Sequence, residues 1–139
     1  MPTTESYTWA FLASHWSEVA FHEIAGAGKL ARASINNVHS DGIEATGTLE
    51  YLLAYPGSPD GEVAFIGYER IVGSLGAHRG SFVVRHHGIY SARTGVHGTL
   101  DIVPGSGSGD LAGITGSGTL TASAGEHGGM YRMSLAYPA

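Results

Sequence analysis

Apolar and polar residues alternate in short runs along this chain, and clusters of glycine, proline, serine and aspartate separate the runs. In the first run Tyr7, Trp9 and Phe11 alternate with Thr8, Ala10 and Leu12, which predicts a strand from Ser6 to about Ser17. Successive side chains of a strand point to opposite faces, so a period of two marks a β-ribbon. The same pattern predicts strands over Lys29–Val38, Ile43–Tyr55, Glu62–Leu75, Ser81–Tyr90, Val96–Val103, Ile114–Ser123 and Tyr131–Tyr137. Nothing between them reads as a helix.

The breaks carry turn chemistry. Asp41-Gly42 supplies the positive φ that a hairpin turn needs, and Pro56–Gly61, Gly76–Gly80 and Ala92–Gly95 separate later strands. Short connections favour antiparallel neighbours. The expected fold is all-β, one domain over residues 1–139, with eight strands in an antiparallel up-and-down barrel. Closure removes the exposed edges of an open sheet. A barrel of this size is filled by side chains or holds one small ligand. An immunoglobulin-like sandwich is the structural alternative, but it uses longer crossings, and the Cys–Trp–Cys core of antibody domains is absent.

Composition narrows the function. The chain has no cysteine, so disulfides, thiolate nucleophiles and Cys-ligated metals are excluded. Its formal charge is −5, with 12 acidic residues against 7 basic, and Lys29 is the only lysine. Nucleic-acid binders present a basic face, so neither nucleic acid nor an anionic membrane is an expected partner. The N-terminal residues lack the basic and apolar regions of a signal peptide. No apolar run approaches the ~20 residues of a spanning helix. A cytoplasmic, soluble chain is expected. Glycine accounts for 22 residues, more than twice average usage, yet 7 Tyr, 4 Phe and 2 Trp argue against disorder and for tightly turned, closely packed strands.

The stretch Val103–Gly118 is glycine-rich enough to suggest a phosphate loop. It lacks both the following helix and the Lys-Ser/Thr pair that such a loop requires. Its glycines read instead as turn residues, with Leu111 anchoring the loop on the end of the barrel. This segment, with Gly26–Ser34, Gly47–Tyr55, Phe65–Arg70 and Gly80–His86, resembles the allene oxide cyclase-like, calycin-like barrels. The likeness is to their bacterial branch, a family of domains of unknown function (the 3224 family). The resemblance implies an eight-stranded barrel, often oligomeric, with an apolar lumen and no cofactor. Plant members of the superfamily steer cyclisation or coupling of reactive small molecules. None of their catalytic residues maps onto this chain position by position.

Strand register supplies a candidate site. With the Pro56–Gly61 loop centred between Ser58 and Pro59, Glu50 faces Gly67. With the next turn centred between Ala77 and His78, Glu69 faces His86. Opposed residues share a face, so Glu50, Glu69 and His86 are expected together as candidate acids and bases. The ligand-binding candidates beside them are Leu52, Phe65, Gly67, Ile71, Val84 and Tyr90. A slip of one residue exchanges faces and would turn Tyr51, Leu53, Tyr55, Ile66, Tyr68 and Arg70 inward instead.

No metal site is expected. The eight histidines show no His-x-His or His-x-x-x-His spacing, and the adjacent His86 and His87 point to opposite faces. The expected function is binding of a small, largely apolar organic molecule in the lumen, with cofactor-free cyclisation or isomerisation as its possible chemistry. The alternatives are a non-catalytic carrier and a purely structural homo-oligomer with a filled lumen.

Overall fold

The alternating runs assemble into one antiparallel sheet. The structure, a computed structural model, describes residues 3–138. Its strands are β1 (Thr3–Ile24), β2 (Gly28–Ser40), β3 (Glu44–Tyr55), β4 (Val63–Leu75), β5 (His78–Ser91), β6 (Gly95–Ile102), β7 (Ser108–Gly109), β8 (Thr115–Ala122) and β9 (Gly128–Tyr137). There is no helix among the described residues, hence none long and apolar enough to cross a membrane. The order of pairing is β4-β3-β2-β1-β9-β8-β6-β5-β7, and β4 also pairs with β5, so the ladder returns upon itself.

The sheet has nine strands where eight were expected. The addition is β7, two residues inside the glycine-rich crossing that pair Gly109 with Gly80 and Ser108 with Ser81. A two-residue strand flanked by glycine has no alternation to read. The crossing is pinned to β5 by side chains as well. Ser106 Oγ accepts from the Val83 amide at 2.9 Å, and Asp110 Oδ2 accepts from the Arg79 amide at 3.1 Å. Leu111 and Ile114 are buried in the same core as Leu75 and Phe82 and seal one end of the sheet.

The inner face carries Trp9 on β1, Ala31, Ala33 and Ile35 on β2, Leu49 and Leu53 on β3, and Tyr131, Met133 and Leu135 on β9, all buried. Burying the larger of these side chains contributes roughly 1.5–3 kcal/mol each, before the entropy of ordering them. Val38, Leu52, Ile66 and Val72 stand exposed on the opposite face.

β1 runs seven residues past its expected end at Ser17 because a bulge carries it around a corner. Ser14 pairs with Asn36 but Ser17 pairs with Ser34, which leaves one extra residue on β1. His15 takes the strain there with φ 55°, a conformation uncommon outside glycine. The insertion reverses the alternation. Phe11 and Ala13 turn inward before it, and Glu18 does so after it.

Candidate functional site

Glu69 projects from the middle of β4 into the interior, where it is wholly buried. A carboxylate in that position must find donors, because an unpaired buried charge is very costly. It has four. Oε1 accepts from His86 Nε2 at 2.9 Å and from the Tyr131 hydroxyl at 2.6 Å. Oε2 accepts from Asn37 Nδ2 at 2.9 Å and from His39 Nε2 at 2.8 Å.

A further layer of partners orients these groups. The Trp9 indole donates to His39 Nδ1 at 3.0 Å. An indole N–H can only donate, so Nδ1 is an acceptor and the single proton of His39 sits on Nε2, aimed at Glu69. His86 Nδ1 lies 2.8 Å from the Tyr51 hydroxyl, which can donate or accept. Burial pushes the Glu69 carboxyl up, but the hydrogen bonds from His39 and His86 outweigh it and hold the group well below the usual carboxylate range. Burial, reinforced by the negative charge of Glu69, pushes both Tyr51 and Tyr131 up, so both stay protonated at neutral pH.

Backbone sterics make room for the carboxylate. Gly47 on β3 lies beneath it, and a Cβ there would overlap Glu69 Oε2. Gly47→Ala is therefore expected to cost about 1–3 kcal/mol by forcing the carboxylate off its donors. Urea unfolding measures this, and a variant as stable as wild type would show that the site tolerates the methyl group.

Above this cluster lies a cavity of about 330 Å³. Its floor includes buried Asn37, Tyr51 and Tyr131, its walls Phe11, Ile35, Leu49, Leu53 and Phe65, and its rim exposed Trp16, Tyr90, Glu126 and His127. Glu18 braces the same end, accepting from the Trp16 indole at 3.1 Å and the Tyr55 hydroxyl at 2.6 Å. Among the described residues no group of three or more His, Asp or Glu side chains is arranged to hold a metal ion.

The sequence candidates separate. Glu69 and His86 meet, although their strands pair Glu69 with Val84 and His86 with Gly67 rather than with each other. Phe65 and Tyr90 line the cavity. Gly67, Ile71 and Val84 are buried on the inner face, away from the cavity wall. Glu50 and Leu52 do not join them. Glu50 pairs with Tyr68, one position from the expected Gly67, and that single step turns both residues outward. Leu52 is 53% exposed. Glu50 accepts from Arg32 Nε at 3.0 Å and Ser34 Oγ at 2.7 Å on the surface, and these bonds lower its pKa. The alternative set divides too, with Tyr51, Leu53 and Tyr55 on the cavity and Ile66, Tyr68 and Arg70 exposed.

The residues missed by sequence reasoning are Trp9, Asn37, His39, Tyr51 and Tyr131 as partners of the carboxylate. One pattern marked two of them. Asn37 and His39 continue the inward phase of Ala31, Ala33 and Ile35, so they are polar residues in an apolar register. His39 lies one residue beyond the expected end of its strand at Val38.

Residues 8–136 match the family described as protein of unknown function, DUF3224. The chain belongs to that family. No curated protein matches the sequence. A DUF3224-family protein of unknown function from Shewanella oneidensis MR-1, solved by crystallography, is similar over 99% of this chain and 100% of its own, with 25% identity and a TM-score of 0.77. The DUF3224 fold thus extends over the whole of the sheet that frames Glu69 and the cavity.

Proposed function

We propose that the sheet is an eight-stranded barrel of the allene oxide cyclase-like kind, with β7 as an accessory to β5, and that it binds a small, largely apolar organic molecule in its open end. The observation that carries this reading is the cavity of about 330 Å³, walled by aromatic and aliphatic side chains and bounded at its floor by a few fixed polar groups. That is the usual make-up of a small-molecule site, at the lower end of the common range of about 300–1,000 Å³. The pairing of β4 with both β3 and β5 supports closure around it.

Binding is favoured over proton-transfer catalysis by Glu69. A carboxylate offers about four lone-pair sites, and four donors occupy them. None is left for a substrate proton, and neither Glu69 nor His86 lines the cavity. Their work in this reading is to hold Asn37, Tyr51 and Tyr131 still at the floor, a preorganised site of low ordering cost.

Calorimetric titration with naphthalene tests the reading. Wild-type protein is expected to bind it. Ala13→Phe, which places a ring in the cavity beside the β1 bulge, is expected to weaken binding at least about tenfold, or 1.4 kcal/mol. Equal affinity in a folded Ala13→Phe protein would move the site elsewhere.

A further inference from the structure

The mouth of the cavity is aromatic and acidic. Trp16, Tyr55 and Tyr90 line it, and so does Glu126, which stands exposed in the turn between β8 and β9. Trp16 is 53% exposed and Tyr90 38%, so both are open to an occupant. Beside them, Glu18 accepts one hydrogen bond from the Trp16 indole and another from the Tyr55 hydroxyl. A carboxylate that accepts from the polar ends of two aromatic groups polarises both and enriches their rings in electron density.

Positive charge is scarce at this end. Among the described residues no lysine or arginine lines the cavity. The strand ends and loops around the mouth span residues 16–29, 55–63, 90–96 and 122–128. Apart from His22 and His127, they carry the carboxylates Glu18, Glu23, Asp60, Glu62 and Glu126 against the cations Lys29 and Arg93. The Lys29 ammonium lies 4.6 Å from the centroid of the Tyr55 ring, so one ring of the mouth already holds a cation.

This arrangement sorts ligands by charge. An anion would enter a field of its own sign. A neutral apolar molecule gains from the wall but leaves the charge of the mouth unused. An ammonium on an apolar body uses both, since a cation over an aromatic face is attracted by the ring quadrupole, and more strongly as water is excluded. Building on the proposed binding role of the cavity, we infer that its ligand class is an organic cation, an apolar body bearing one alkylammonium group, and that Trp16 and Glu126 select it at the mouth.

The probes are benzyltrimethylammonium, its uncharged carbon isostere neopentylbenzene, and phenylacetate, titrated calorimetrically into the full chain. Wild type is expected to bind the ammonium about fivefold or more tighter than neopentylbenzene, and to bind phenylacetate more weakly than either. Trp16→Leu keeps an apolar side chain and removes the ring. It is expected to weaken the ammonium about fivefold and to leave neopentylbenzene within about twofold. Glu126→Gln is expected to weaken the ammonium alone, by about threefold. Binding of neopentylbenzene as tight as that of the ammonium overturns the inferred class and leaves the binding role of the cavity standing, as does binding of naphthalene without the ammonium. A preference undiminished in folded Trp16→Leu overturns the assignment to the ring, and one undiminished in Glu126→Gln the assignment to the carboxylate. Failure of wild type to bind any of these probes or naphthalene overturns the inference and the binding role together. Should Trp16→Leu not fold, Glu126→Gln, altered only in an exposed turn, and the wild-type comparison still decide.

Discussion

Glu69→Gln is expected to destabilise the protein by about 3–5 kcal/mol, the usual cost of breaking a buried, hydrogen-bonded charge network from one side. The isosteric change alters no volume, so packing contributes little. The damage is in the donors. Asn37 and His39 converge on one carboxylate oxygen, and His86 and Tyr131 on the other. A glutamine places its own donor nitrogen against one of these pairs, whichever way it turns. For a domain of this size the melting temperature is expected to fall by roughly 10–20 °C, read by thermal and urea unfolding. A melting point equal to that of wild type would show that the network contributes nothing to stability.

The second large effect is in acid. The Glu69 carboxyl is held below its ordinary range in the folded chain, whereas the unfolded chain titrates it near pH 4.3. Below about pH 5 the unfolded state takes up the proton first, so stability falls as pH falls. The contribution is fully present above pH 5 and drains away toward the depressed folded value. The expected loss from this one group is about 2 kcal/mol between pH 5 and pH 3. Urea unfolding of wild type and Glu69→Gln at stepped pH isolates it, because the variant lacks the titrating group. An acid limb equally steep in both proteins would place the proton uptake on other carboxylates. Glu50 is also lowered, but it is half-exposed at the surface, and its pairing with Arg32 is screened by solvent.

The strands were legible where one phase of alternation runs over many residues; β1 loses its phase at the His15 bulge, and the two-residue β7 shows none. The site was legible only as far as register could be placed. Residues 56–62 between β3 and β4 are odd in number, so the loop centres on a residue, Pro59, and not between two. That half-residue shift in the centre is a full residue in pairing, and it sends Glu50 and Leu52 outside. The next hairpin was misplaced as well, by two positions. Its turn is Gly76-Ala77, with Gly76 at φ 61° as a primed turn requires of its first central residue. A shift of two preserves the face, so Glu69 and His86 stay together. The partners on β1, β2 and β9 lay beyond any local rule, because they reach Glu69 only when distant strands converge.

That convergence also governs time. β1 pairs with β9, so Thr3 meets Tyr137 and Leu12 meets Gly128 across nearly the whole chain. Each hairpin from β2 to β5 can form locally within microseconds, but this seam must wait for a loop of more than a hundred residues to close. Folding is therefore set by its most distant contact and belongs with the slow, millisecond-to-second β proteins. As the chain leaves the ribosome, β1 emerges first with its seam edge unpaired. It stays open until the last strand is released, which makes synthesis the interval in which the protein is most exposed to its own neighbours.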